Sequence, residues 1–439
     1  MSDNWKFETK QVHSGAQPDP TTNARATPIY KTTSYVFNST AHAQNLFALA
    51  EFGNIYTRLM NPTTDVVEQR VAALEGGTAA LAVASGSSAI TYAVLNIAGA
   101  GDHIVSSSSI YGGTYNLFKY TFARLGIEVT FVEDQDDAAE WQAAIRPNTK
   151  LLFAETIGNP KINILDIEKV AGVAHAANLP LIVDNTIATP YLIKPIDFGA
   201  DIVVHSATKF LGGHGTVIAG VIVDGGKFPW AANADKFPGL TEPDPSYHGA
   251  SYTGVLGDAI AFIIKTRVTI LRDTGAALSP DSAFALIQGI ETLSLRIERH
   301  TQNALEIAEW LENHDDVASV NYSGLPSSPW YAAANKYAPK GVGAVVSFEL
   351  KGGVDAGRAL VENVALFSHL ANIGDVRSLI IHPASTTHSQ LTPEQQLTTG
   401  VTPGLVRLSV GIENVDDLKA DLELGFAAAR SVVAANAKA

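Results

Sequence analysis

The chain has 439 residues, 46% apolar and 17% charged, a balance ordinary for a soluble globular enzyme of two or three domains. A formal net charge of -14, with no basic run or basic-aromatic patch, argues against nucleic acid and anionic lipid as partners. Small-molecule chemistry is therefore the expectation, and the lack of cysteine excludes disulfides, thiolate-zinc sites and a cysteine nucleophile.

The N-terminus, MSDNWKFETK, lacks the apolar core of a signal peptide, and no apolar run reaches membrane-spanning length, which points to the cytoplasm. Residues 1–61 carry Pro18, Pro20 and Pro28 and little helical periodicity. They read as an extended arm with a short helix near Ala41–Ala50. Such an arm has little core of its own and is expected to pack on a neighbouring subunit. It closes on YTRLMNPTT. Val66, Val67, Val71 and Leu74 then keep helical spacing, with Thr63 or Thr64 as the cap and Gly76-Gly77 as the stop.

From residue 62 to 278 strands and helices alternate. ALAVAS precedes a helix from about Ser87 to Ala98, and DHIVSS one from about Thr114 to Leu125. IEVTFV is followed by a short helix near Trp141, and KLLFAET by one from about Ile167 to Ala177. LPLIVDN, DIVVHS and VIAGVIV complete seven strand signals. This order predicts an α/β fold with a doubly wound, mainly parallel seven-stranded sheet. Residues 225–254 are rich in Gly, Pro and aromatics without period and read as an ordered insertion or lid. Residues 279–439 open with a long helical pattern. GAVVSFEL, LVRLSV and a helix near Asp416–Val433 then predict a smaller α+β C-terminal domain.

The chemistry gathers at strand ends. In DIVVHSATKFLGGHG, Lys209 follows the buried strand Ile202–Val204, with Ser206 and Thr208 alternating past its end, where open α/β sheets bind ligands. An ammonium there has two fates, a lowered pKa or a covalent imine with a carbonyl. Upstream, LPLIVDNT ends in Asp184, a carboxylate that needs a cation such as a protonated pyridine nitrogen. Lysine, phosphate-binding hydroxyls and this carboxylate together suggest pyridoxal 5′-phosphate (PLP). VASGSSAI turns a strand into a helix at Gly86 and Ser87, whose N–H groups suit an anion.

Several positions carry two readings. Tyr111 either stacks on a flat ring or packs at the sheet edge. Glu155 and Asn159 stand at a further strand end, and Asn159, before Pro160, is a turn residue or a donor to the cofactor's ring oxygen. Arg407, between apolar neighbours in a strand pattern, holds a substrate carboxylate or a structural salt bridge. His382 and His388 have no clustered carboxylates or cysteines around them, so structural hydrogen bonding is expected and a metal is not. GGHGTVIAG is no dinucleotide fingerprint, because it runs into a strand-like segment rather than a helix.

With IVDNT, HSATK and HPAST in place, the chain resembles the Cys/Met-metabolism family of PLP-dependent enzymes from HSGAQPD to LSVGIE. The resemblance implies the type I PLP-dependent transferase fold, Lys209 as the lysine that joins the cofactor and Asp184 as the partner of the pyridine nitrogen. It implies Gly86, Ser87, Ser206 and Thr208 as phosphate ligands, Tyr111 as the stacking and proton-assisting tyrosine, and Arg407 as the carboxylate clamp. Tyr56 and Arg58 match residues that reach the neighbouring subunit's phosphate, which implies a homo-oligomer, typically a tetramer of catalytic dimers. Three features resemble the O-acetylhomoserine sulfhydrylase branch: the aromatic insertion, ANIGDVRSLIIHPASTTH with Asn372 near the substrate, and GVTPGLVRLSVGIE. Gly113 stands where methionine γ-lyases carry a cysteine. The substrates implied are O-acetyl-L-homoserine and sulfide or a thiol. Cystathionine γ-synthase, a γ-lyase, an O-succinylhomoserine substrate and a catalytically silent PLP-fold scaffold stay open at this point.

Overall fold

In the computed structural model, residues 4–437 are described apart from 388, 390, 391 and 399, so His388 lies outside the described residues. Seven strands form the larger sheet: β1 (Ala79–Val83), β2 (His103–Ser107), β3 (Glu128–Val132), β4 (Thr149–Glu155), β5 (Leu181–Asp184), β6 (Ile202–His205) and β7 (Gly220–Asp224). Their order is β1-β7-β6-β5-β4-β2-β3. Strands β2 to β6 run parallel, while β7 is antiparallel to both β6 and β1.

Helices cover both faces, so the parallel strands are apolar on both sides. Side chains alternate along each strand. Phe153, Ile182 and Val204 face a core that includes Ala89, Ile90 and Val94. Ala154, Val183 and Val203 face the other core, with Val67 and Val71. The same alternation turns Glu155 and Asp184, the last residues of β4 and β5, to the Phe153 side.

The N-terminal segment departs from the extended arm expected. Phe7–His13 form helix α1, and Gln11 donates to Ser294 Oγ at 3.0 Å while Arg70 Nε donates to the Ser14 carbonyl at 3.0 Å. These first residues therefore rest on their own chain. A seven-residue helix has too few turns to show periodicity, and partners nearly 300 residues away hold it. Helix α2 (Thr40–Phe47) matches the short helix expected, capped by Ser39. Helix α3 (Pro62–Glu75) is capped by Asn61 rather than by a threonine: Asn61 Oδ1 accepts from Thr63 N–H at 2.9 Å, and Pro62 takes the first helical position, where it loses no hydrogen bond.

The helix expected over 114–125 is α-helical over Gly112–Asn116 and widens to a π-turn over Leu117–Phe122. That turn keeps both Phe118 and Phe122 buried, with Phe118 edge-on to Phe153 at 5.0 Å. The aromatic insertion is ordered and packed. Trp230 is buried and stacks on Phe262 with ring centres 5.5 Å apart.

The long helical pattern after residue 279 breaks at Thr292 into Pro280–Glu291 and Leu293–Glu312. Beyond it, β8 (Val317–Asn321), β9 (Val345–Leu350), β10 (Ser368–His369), β11 (Leu379–Ile381) and β12 (Leu405–Ser409) form a second sheet in the order β10-β11-β12-β9-β8. The C-terminal helix Val415–Asn436 completes this half of the molecule. No helix among the described residues is long and apolar enough to cross a membrane.

Candidate active site

A cavity of about 330 Å³ opens beyond the carboxyl ends of β4, β5 and β6, bounded by the start of helix α4 (Gly86–Leu95), the 371–373 segment and β12. It gathers Gly86, Ser87, Tyr111, Asn159, Asp184, Ser206, Thr208, Lys209, Asn372 and Arg407. Tyr56 and Arg58 are not among its walls. They pair with each other at the surface, the guanidinium 5.3 Å from the ring centre.

One wall is the N-terminus of α4. Ser85 caps it by accepting from Ser88 N–H at 3.1 Å, which leaves the N–H groups of Gly86 and Ser87 for an anion. Position 86 admits only glycine, because a Cβ there would lie 2.5 Å from Ser206 Cβ and 2.8 Å from its Cα. The close approach brings the Ser206 hydroxyl against the helix start. The Thr208 hydroxyl is held by Ala219, donating to its carbonyl at 3.2 Å and accepting from its N–H at 3.0 Å.

A second group of lining residues is cationic. The Lys209 amine donates to Asn372 Oδ1. Burial and the neighbouring charge of Arg407 lower its pKa below that of an ordinary lysine. Arg407 Nη1 donates to Asn159 Oδ1 at 3.1 Å and Nη2 to the Asn372 carbonyl at 3.3 Å. Desolvation brings its pKa down to about 10. Among the described residues no carboxylate pairs with Arg407, and its guanidinium faces the cavity.

The floor is acidic. Asp184 Oδ1 accepts from Thr186 N–H at 2.9 Å and from its hydroxyl at 2.5 Å, and the Thr186 oxygen accepts from Ser206 N–H at 2.7 Å. Burial raises the Asp184 pKa, and the Thr186 bonds and His205 oppose it. His382 lies elsewhere, its nitrogens bonded to Ser385 Oγ and the Pro403 carbonyl, both at 2.8 Å, the structural role expected. No group of three or more His, Cys, Asp or Glu among the described residues is arranged to hold a metal.

The profile of the Cys/Met metabolism PLP-dependent enzyme family matches residues 8–427. The chain belongs to that family. O-acetyl-L-homoserine sulfhydrylase of Leptospira meyeri is 57% identical over 431 residues, covering 96% of this chain and 97% of its own. The enzyme of the same name from Corynebacterium glutamicum is 53% identical, covering 97% and 98%. A Campylobacter jejuni crystal structure containing N′-pyridoxyl-lysine-5′-monophosphate superposes with a TM-score of 0.93 at 42% identity, over 96% of this chain and all of that one.

PLP is the family's cofactor, and the cavity's donor set fits it. Helix N–H groups and hydroxyls stand at one end for a phosphate, a desolvated amine for an aldehyde, and a buried carboxylate for a protonated ring nitrogen.

Thr186, Ile187 and Ile218 also line the cavity, and sequence reasoning does not single them out. Thr186 is within reach of a local rule, since an Asp side chain often accepts from the backbone N–H two residues on. Ile187 and Ile218 carry no such signal. Glu155 is legible in the sequence only as a strand-end residue.

Proposed function

We propose that the protein performs a γ-replacement: O-acetyl-L-homoserine and sulfide, or methanethiol, give L-homocysteine, or L-methionine, and acetate. One observation carries this reading. The desolvated Lys209 amine and the Arg407 guanidinium, which has no carboxylate partner among the described residues, face one cavity, linked through Asn372. A cation that binds an α-carboxylate and an amine that moves protons are the two parts such a reaction asks of the protein.

In this reading Arg407 grips the substrate carboxylate, and Asn372 spaces it from Lys209. Lys209 takes the proton from Cα and carries protons at Cβ, which lets the Cγ–O bond to acetate break and the Cγ–S bond form. PLP, when bound, supplies the electron sink that makes the Cα proton acidic. Asp184 holds the ring nitrogen's proton. Gly86, Ser87, Ser206 and Thr208 hold the phosphate; each charge-assisted bond of this kind contributes about 1.5–3 kcal/mol. Tyr111 would stack on the cofactor ring when it is bound and assist proton transfer, and the Asn159 amide, its oxygen occupied by Arg407, would have its N–H free to donate to the ring oxygen.

The nature of the acceptor follows from charge. A cysteine acceptor brings a second carboxylate; within one chain Arg407 is the one guanidinium among the described residues lining the cavity, and an Arg58 from a second copy would be taken up by the phosphate. Ile157, Ile187 and Ile218 supply apolar wall instead. A small acceptor without a carboxylate, sulfide or methanethiol, therefore suits the cavity better.

The same reading extends to assembly. Val36 is 95% and Phe52 67% exposed, and Ile29, Phe47 and Tyr56 are also exposed, an apolar stretch that a second copy would cover. Tyr56 and Arg58 would then serve the partner's phosphate, and Tyr56 its substrate as well, in a homo-oligomer built up to a tetramer. We divide the chain accordingly into an arm over 1–61, a cofactor-binding unit over 62–278 and a C-terminal unit over 279–439. The acidic, cysteine-free chain suits the cytoplasm.

The test replaces Lys209 with Ala and supplies O-acetylhomoserine with sulfide, methanethiol and cysteine in competition. Loss of turnover and a wild-type preference for sulfide are expected. Turnover near the wild-type rate without the lysine amine overturns the assignment.

A further inference from the structure

Two carboxyl groups meet on the cavity floor. β4 and β5 pair in parallel with Glu155 and Asp184 as register partners, and strand alternation turns both side chains to the same face. Both line the cavity, 5% and 7% exposed. Two neighbouring carboxylates in so dry a place do not both stay ionised.

Their partners decide which one keeps the charge. Asp184 Oδ1 accepts two donors from Thr186. Glu155 Oε1 accepts one, the Tyr111 N–H at 2.7 Å. Burial first, and the Asp184 charge second, push Glu155 well above the usual carboxylate range. The other titratable groups lining the cavity are Tyr111, Lys209 and Arg407.

We propose that Glu155 is a positioning residue for the reaction: it stays uncharged, fixes the main chain of Tyr111 and leaves Asp184 as the ionised member of the pair. The inference rests on the roles of Asp184 and Tyr111 given above. Its consequence is that a carboxyl group that never touches the reacting carbon sets both the stacking residue and the charge beneath the ring. An ionised Glu155 would compete for the ring proton. A missing one would leave the Tyr111 amide unpaired.

The test uses Glu155→Ala and Glu155→Gln in the full chain. Gln is uncharged, of the same shape, and its Oε1 still accepts from Tyr111 N–H. Glu155→Ala is expected to weaken PLP binding to the apoprotein by about tenfold and to lower kcat more than it raises KM, with Glu155→Gln restoring both to within about threefold of wild type. An Ala variant within that range, or a Gln variant no better than Ala, overturns the inference. If the Ala variant does not fold, Gln alone decides. The pH midpoint of its bound cofactor's visible absorbance is expected within about 0.3 unit of wild type, and a larger movement means that Glu155 carried charge. The functional reading fails separately, if borohydride treatment of the wild-type holoenzyme leaves no pyridoxyl group on Lys209.

Discussion

Arg407 and Asn159 meet across 248 positions of sequence, the guanidinium donating to the amide oxygen at 3.1 Å. The bond holds an arginine of the second sheet against the turn beyond β4, at the rim of the first. It also settles how the Asn159 amide is turned, with its oxygen taken and its N–H₂ free to donate. Replacing Arg407 with Lys keeps the charge and loses the planar fork, so KM for O-acetylhomoserine should rise by about 10- to 100-fold, the equivalent of about 1.5–3 kcal/mol. Steady-state kinetics check it. An unchanged KM would mean that another group grips the carboxylate.

Gly86→Ala places a Cβ 2.5 Å from Ser206 Cβ. The helix start must retreat from the strand end, and the anion site widens. PLP should bind the apoprotein about tenfold more weakly, one charge-assisted contact's worth, while the far-UV circular dichroism stays that of the wild type. Titration of the apoprotein with PLP reads it directly.

At position 113 a Cβ would lie 2.4 Å from Tyr111 Cε1. The tyrosine ring packs against the glycine backbone, and any side chain there pushes it off. In the role proposed for Tyr111, Gly113→Cys should therefore lower kcat with O-acetylhomoserine and sulfide by about tenfold or more, since misplacing a proton-transfer group costs orders of magnitude. A variant with wild-type kcat would show that the ring's position is free to move.

His300 is fully buried, with Nδ1 on the Val410 carbonyl at 2.6 Å, and burial brings its pKa from 6.5 to about 4. Between those two values the unfolded chain binds a proton that the folded one refuses. The stability is present in full above pH 6.5 and declines by about 1.4 kcal/mol per pH unit as the pH falls toward 4. His103, also buried and lowered to about 4, adds a second contribution of the same sign. The raised carboxyls of Glu155 and Asp184 act in the opposite sense in both proteins, so the difference isolates the histidine: between pH 7.5 and 4.5 the urea midpoint of His300→Gln should lose ground to acid less steeply than that of the wild type.

Much of the site was legible because it is local. Lys209, Ser206 and Thr208 stand within one short segment after β6, and Gly86-Ser87 within the turn that begins α4. Each such segment carries its own signature, an apolar run that ends in polar residues or a small residue before a helix. Arg407 was legible only as a buried cation in search of an anion. Whether Glu, Asp or a ligand answers it depends on what β9, β11 and the 371–373 segment bring alongside, and none of these is near it in sequence.

The sequence by itself determined the succession of strands and helices, the doubly wound α/β character, the lysine and aspartate at neighbouring strand ends and the Gly-Ser helix start, since all follow from hydrophobic period and local turn chemistry. Only the tertiary structure decided that α1 packs on its own chain, that Arg407 has no carboxylate partner among the described residues, and that Glu155 sits in register beside Asp184. These are contacts between positions tens to hundreds of residues apart. Strand register and helix docking create them, and a one-residue slip of β4 would turn Glu155 to the opposite face.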